Sequence, residues 1–252
     1  MIHSSAQPGA RYALLDELRG FCLIGMMLYH GLWDLVYLYG VSIPWYTGTP
    51  GHVWQQIICC TFILLSGFCL ALGHHPVRRG LIVFASGALV TLVTWLFMPA
   101  DLVLFGVLTF LGSAMIVTGL LRRWLERVPA WLGFAVSVVL FVVTKEINSG
   151  FFGFEGLVLG LVPAGLYANN FTAFLGFPQP WFYSTDYFSL FPWLFLFWAG
   201  FFLHQLVGKE RMAPLGRSVC PPLGWMGRHS LLIYLLHQPV IYGILSLGAL
   251  LL

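Results

Sequence analysis

Apolar residues run in long uninterrupted blocks along this chain, at about 20–42, 54–74, 80–98, 102–121, 130–144, 188–207 and 230–252. Blocks near 20 residues match the roughly 30 Å hydrocarbon layer of a bilayer at about 1.5 Å of rise per residue, so about seven transmembrane helices are predicted. A shorter glycine-rich piece at 156–168 carries Gly160, Pro163 and Gly165 and is short for a span. It reads as a re-entrant or surface-lying segment, with a pair of short spans inside 150–187 as the alternative. The expected fold is an all-α polytopic bundle forming one domain over residues 1–252. The first block is too long for a cleaved signal, has no A-x-A exit and contains His30 and Asp34, so it is expected to stay as the first span.

Composition changes this picture little: 59% hydrophobic and 8% charged residues exclude a soluble core wrapped in a polar surface. The net charge of +3 says less than its placement. With a cytoplasmic N-terminus, Arg11, Arg19, Arg78, Arg79, Arg122, Arg123, Arg127, Lys209, Arg211, Arg217 and Arg228 all fall on the cytoplasmic side and Lys145 falls outside. That bias orients the chain N-in and C-out. The scattered basic residues form no stripe for a phosphate backbone, which excludes a nucleic-acid reader. Four of the five cysteines (Cys22, Cys59, Cys60, Cys69) sit in apolar blocks and Cys220 in a cytoplasmic loop, so no disulfide framework is expected. Metal-ligand spacing, a phosphate loop, a dinucleotide fingerprint and internal repeats are absent from the sequence.

The chemistry lies in the first block. Ten residues separate Arg19 from His30 in LRGFCLIGMMLYH, a spacing that returns to one helix face, and Asp34 follows His30 by one turn. Ionisable groups inside an apolar helix are costly unless paired or at work, so they mark a functional site. At this spacing a carboxylate can accept from one imidazole nitrogen and leave the other to take a proton from a substrate, which is general-base geometry. The bland alternative is a hydrated pair near the outer interface, a role that Trp33 and Tyr37 fill better.

Counting rise from each cytoplasmic end puts His30 roughly 15 Å, Ser66 roughly 12 Å and His237 roughly 11 Å deep, one layer that permits contact. His237 in SLLIYLLHQPV can serve catalysis or bond a carbonyl freed near Pro239. Ser66 in TFILLSGFCLALG reads as a nucleophile or donor-site residue, or as a point where small residues let helices approach. His204 is expected at an interface. His74, His75, Arg78 and Arg79 form a basic mouth, either a topology signal or a seat for a phosphorylated ligand. Outer-side aromatics, among them Trp45, Tyr46, Trp54, Trp181, Tyr187 and Trp193, make an interfacial belt that can also stack on sugar rings.

RYALLDELRGFCLIGMMLYHGLWD, FILLSGFCLALG, STDYFSLFPWLFLFWAG and GRHSLLIYLLHQPV together resemble bacterial relatives of the heparan-alpha-glucosaminide N-acetyltransferase catalytic domain, within a wider set of transmembrane acyltransferases that includes the acyltransferase-3 proteins. The resemblance runs from about residue 11 to 245. It implies a multi-pass protein of the bacterial inner membrane that moves an acyl group, typically acetyl, from cytosolic acyl-CoA to a sugar or glycolipid amine or hydroxyl on the far side. His30 matches the catalytic histidine, Arg19 the signature arginine, and Arg78 with Arg79 the basic pair that contacts the CoA phosphates. GVLTFLG departs from the pattern, with Thr109 where relatives often carry histidine.

In that chemistry His30 removes the acceptor proton, and Asp34 holds the ring and stabilises the imidazolium. Direct transfer in a ternary complex is expected over an acetyl-histidine intermediate. Two rivals stay open from the residues alone: a proton-coupled transporter or flippase for a sugar or lipid-linked intermediate, and a non-catalytic membrane subunit. Acceptor identity and oligomeric state are not encoded in the pattern.

Overall fold

The computed structural model of the chain describes residues 12–251. Arg11, one of the residues used to orient the chain, lies outside them. Six of the described helices are long and apolar enough to cross a membrane: α1 (Ala13–Tyr37), α3 (Thr49–Leu70), α4 (Pro76–Phe97), α5 (Val107–Leu125), α6 (Ala130–Thr144, extended by a 3-10 turn to Ser149) and α9 (Ser230–Leu251). The apolar helix α7 (Trp193–Val207) is shorter, and α2 (Pro44–Thr47) and α8 (Pro221–Arg228) are brief connectors. This is a polytopic helical membrane bundle.

Helix boundaries differ from the apolar blocks where polar side chains satisfy backbone or charge. α1 starts at Ala13 rather than Gly20, because its first turns have partners. Arg19 Nη1 lies 3.3 Å from Asp16 Oδ1, and Glu17 accepts from the Ser218 hydroxyl at 2.6 Å and the Val219 N–H at 3.0 Å. α5 starts at Val107 rather than Leu102, because Asp186 Oδ2 accepts the Val107 N–H at 3.1 Å and caps the helix from a distant segment. Residues just before it are held in a non-helical bend: Leu104 N–H donates to Ser184 Oγ at 2.9 Å, and Phe188 N–H donates to the Phe105 carbonyl at 2.9 Å. α7 starts at Trp193 because the Leu190 and Phe191 N–H groups donate to the carbonyls of Phe174 and Leu175.

The chain forms two compact units. One comprises residues up to Phe62 together with those from Val207 onward, and the other comprises Ile63–Leu206.

In the first unit α1 and α9 run parallel. His30 meets His237, Gly31 faces Ile241 and the Tyr39 hydroxyl bonds Ser246 at 3.0 Å, a register that holds along both helices. α8 packs against the start of α1 so closely that a Cβ on Gly227 would lie 1.8 Å from the Asp16 carbonyl oxygen, and one on Gly20 2.1 Å from that of Leu223.

The second unit is also built on glycine crossings. α4 and α5 meet backbone to backbone, where a Cβ on Gly112 would lie 2.4 Å from Phe84 N and one on Gly87 2.6 Å from Thr109 N and Oγ1. α7 meets the end of α3 at Gly200 and Gly67, each with a would-be Cβ about 2 Å from a carbonyl oxygen, of Leu64 and Phe197 respectively. Small residues at such crossings give the close van der Waals packing that membrane helices rely on.

Residues 150–187 fold without a membrane-crossing helix. Strands β1 (Phe151–Phe154) and β2 (Leu157–Leu161) form an antiparallel hairpin whose two-residue turn, Glu155 and Gly156, has positive φ at both positions, as a type I′ turn requires. Single 3-10 turns at Ala164–Tyr167 and Thr172–Leu175 follow. The pair of short spans is therefore not formed. Phenylalanine, valine and leucine in that stretch favour strand, and its glycines interrupt helix. Lys145 Nζ lies 4.0 Å from Glu155 at the hairpin tip and 5.3 Å from the centre of the Trp193 ring.

Candidate functional site

The first unit gathers the ionisable residues singled out in α1. One turn separates His30 from Asp34, and the parallel register of α9 brings His237 and Gln238 beside them. The His30 and His237 rings meet edge to face, 5.0 Å between centres at 80°. His237 Nδ1 lies 2.5 Å from the Tyr234 carbonyl of its own helix. A carbonyl only accepts, so Nδ1 carries a proton. Asp34 is fully buried, and its Oδ1 accepts from Gln238 Nε2 at 2.7 Å. The structure keeps His30 and Asp34 one turn apart on α1 and adds a glutamine of α9 that donates to the carboxylate.

A chain of rings leads away from this cluster. Tyr29 lies beside His30 at 6.3 Å, Tyr46 is 4.9 Å and Trp54 5.6 Å from Tyr29, and Trp45 is 6.1 Å from both Tyr46 and Trp54. Tyr46 is buried and donates its hydroxyl to the Tyr29 carbonyl at 3.1 Å, whereas Trp45 is half exposed. Burial, helped by the neighbouring Tyr29, holds the Tyr46 phenol far above the ordinary tyrosine range, so it remains a donor at all physiological pH values.

The other sequence candidates stand elsewhere. Arg19 shares the helix face of His30 but lies about 16 Å away along α1, paired with Asp16 at the end that α8 covers. Ser66, Arg78 and Arg79 belong to the second unit. Ser66 directly precedes the Gly67 crossing point, which accounts for a Ser-Gly pair in an apolar helix. Arg78 and Arg79 are exposed on the first turn of α4, next to exposed His74 and His75, and the Arg79 guanidinium lies over Gly73. His204, expected at an interface, packs edge to face against Phe68 at 5.2 Å. Thr109 is buried at the α4–α5 crossing, where the close approach of Gly87 suits a short side chain.

Three functional or positioning residues escaped sequence reasoning. Gln238 adjoins His237 and is a polar group inside an apolar block, a signal that could have flagged it. Glu17 and Asp186 gave none, because their partners, at 218–219 and 107, are remote in sequence.

None of the five cysteines is in a disulfide, and no cluster of three or more His, Cys, Asp or Glu side chains suited to a metal ion occurs among the described residues. The arrangement provides two imidazoles in contact, one oriented by a carbonyl and the other one turn from a buried carboxylate that an amide bonds. It is equipped to accept and hold a proton at a chosen atom.

No curated protein and no solved structure matches the chain. The sequence model of the family described as "Heparan-alpha-glucosaminide N-acetyltransferase, catalytic" matches residues 11–239, a stretch that takes in α1 through the His237–Gln238 end of the site. With its helical membrane fold and nearly its full length matched, the chain belongs to this family of membrane acetyltransferases.

Proposed function

We propose that the protein transfers an acyl group, typically acetyl, from cytosolic acyl-CoA to an amine or hydroxyl of a sugar or glycolipid acceptor on the outer side of a bacterial inner membrane. The observation that carries the reading is the assembly of His30, Asp34 and His237 on two parallel membrane helices of an acetyltransferase family member.

His30 takes the proton of the acceptor as its nitrogen or oxygen attacks the thioester carbonyl; the tetrahedral intermediate collapses and CoA leaves as thiolate. Asp34, acting from a buried position, stabilises the imidazolium that forms, and the proton then passes to the departing thiolate or to water. His237, with Nδ1 held by Tyr234, offers a second basic nitrogen against the His30 ring for that transfer. Arg78 and Arg79, exposed on α4, suit the phosphates of CoA as point charges and forks. Arg19 marks the charged end of α1, and Ser66 serves the helix crossing. The ring chain from Tyr29 to half-exposed Trp45 suits the apolar face of a sugar.

Purified protein in proteoliposomes, given labelled acetyl-CoA and an amino-sugar acceptor, should yield acetylated acceptor, and His30→Asn should lower kcat about 10²–10⁴-fold. Folded wild type that transfers no acetyl group but couples sugar movement to a proton gradient would establish the transporter instead. Without acceptor, no acetylated protein should accumulate; stoichiometric acetyl-histidine would replace direct transfer by a two-step route.

A further inference from the structure

The segment 147–185 is built the opposite way round from a loop bathed in water. Glu155 is the one charged residue in the stretch, and Lys145 reaches it from the end of α6. The polar side chains turn inward onto the segment's own backbone. Thr172 Oγ1 donates to the Leu166 carbonyl at 2.7 Å, Gln179 Nε2 to the Ala168 carbonyl at 2.7 Å and Asn148 Nδ2 to the Gly176 carbonyl at 2.9 Å, while Asn169 Oδ1 accepts the Phe171 N–H at 2.9 Å. The apolar side chains are the ones left outside. Phe151 pairs with Leu161 and Phe154 with Leu157, across an irregularity that leaves Leu159 without a partner residue. Phe151 and Phe154 are three positions apart on β1, so Leu161 and Leu157 stand on opposite faces of the hairpin. Leu157, Val158, Leu159 and Leu161 are each more than half exposed, which leaves both faces of β2 uncovered.

We propose that this hairpin is a lipid-binding element, seated at the headgroup–acyl boundary of the leaflet on the Lys145 side of the membrane, with the β2 side chains among the acyl chains. The hairpin is continuous with a membrane-crossing helix. β1 follows α6 after a single 3-10 turn at Ile147–Ser149 and packs against α6, so the hairpin is folded back beside the span. A fluid covers both faces of a strand at once, whereas a second protein surface covers one, and this favours lipid as the occupant. The backbone sets the depth. β2 pairs with β1 on one side only, so the N–H and C=O groups of its other edge need water or headgroups, which the middle of the hydrocarbon layer does not offer. The Lys145–Glu155 pair offsets the only charges that come with the hairpin, and Lys145 also lies over the Trp193 ring at 5.3 Å. Phe171 and Trp181, 86% and 74% exposed in the same uncharged stretch, suit the same boundary. None of this depends on the acyltransferase reading.

The test is spin-label accessibility in nanodiscs of phosphatidylethanolamine and phosphatidylglycerol. Leu159→Cys carries the nitroxide in a chain whose five native cysteines are replaced by alanine, and Lys209→Cys, at an exposed charged position, is the water-facing control. Oxygen concentrates among acyl chains and a nickel chelate stays in water. The label at 159 should therefore relax faster with oxygen than with nickel, and the order should reverse at 209. Nickel contact at 159 equal to that at 209 would put the hairpin in water and overturn the proposal. Shielding from both relaxants, with spin–spin broadening between two labelled chains, would show a second copy on the strand and overturn it too. If the cysteine-free chain does not fold, p-benzoylphenylalanine in place of Leu159 in the otherwise native protein carries the same reading. Irradiation should then yield lipid adducts, and adducts to a second chain alone, or none, would overturn it.

Discussion

Gly227→Ala tests whether the contact between α8 and the start of α1 sets the geometry of the histidine pair. A Cβ at 227 would lie 1.8 Å from the Asp16 carbonyl oxygen and 2.6 Å from its carbon, against the 3.4 Å at which ordinary contact begins. Both are backbone atoms, so no side chain can swing aside, and α8 must retreat by about 1.6 Å. α8 leads through His229 straight into α9, which carries His237 and Gln238. A misplacement of about 1 Å can cost about 100-fold in rate, or about 2.7 kcal/mol of barrier, and overpacking of this kind costs about 1–3 kcal/mol of stability. The assay is acetyl transfer in nanodiscs together with thermal unfolding of the same preparation. Gly243→Ala is the control on α9: its Cβ would meet nothing within 4 Å, so the rate should hold and the helix should gain up to about 1 kcal/mol. A folded Gly227→Ala protein with wild-type kcat would refute the idea that α8 places the site.

Replacing Arg78 and Arg79 by alanine should weaken CoA and acetyl-CoA binding about tenfold or more by calorimetry, with the thermal midpoint unchanged because both side chains are exposed. Asp186→Ala removes the remote cap of α5 and should cost about 1 kcal/mol in denaturant titrations, while Asp186→Asn, which keeps an acceptor oxygen, should cost less. Tyr187 donates its hydroxyl to the Ala173 carbonyl, and burial raises its phenol above the ordinary range. The unfolded chain then loses that proton first, so stability should be constant below about pH 10 and fall as pH rises beyond it, and Tyr187→Phe should flatten that alkaline decline.

The helices were legible because membrane spans are long apolar runs, and six of them overlap blocks read from hydropathy alone. Their ends were less so. Asp16, Glu17 and Arg19 look like a cytoplasmic flank, yet they lie within α1 because Ser218, Val219 and each other satisfy them. Residues 102–106 and 188–192 look like span, yet they are non-helical because hydrogen bonds to distant residues hold them in bends and turns. The hairpin at 151–161 was missed since a glycine-punctuated apolar run suits strand and short helix alike. In the site, the spacing of His30 and Asp34 gave the face, and near-equal depth gave His237 as a permitted partner. Gln238 was not legible in its role, because a hydrogen bond from an amide on one helix to a carboxylate on another depends on helix rotation, which periodicity does not fix.

The depth count itself explains why the pair was found with the wrong ruler. Measured from the observed start of α1, His30 lies about 26 Å along its helix, whereas His237 lies about 10 Å along α9, yet the two rings touch. The two helices therefore do not start level, and the first turns of α1 extend past the start of α9, where α8 and Glu17 hold them. Arg19 belongs to that projecting end, so it cannot be both the residue at the charged entrance and a direct partner of the reacting atoms. His30, by contrast, is within about 11 Å of the Tyr37 end of α1, near the ring chain that leads to Trp45. On the acyltransferase reading proposed above, a donor held at the Arg19 end of α1 has to reach about 16 Å along that helix before its thioester meets His30, and coenzyme A suits such a reach by its form, with phosphates at one end of a long flexible arm and the thioester at the other.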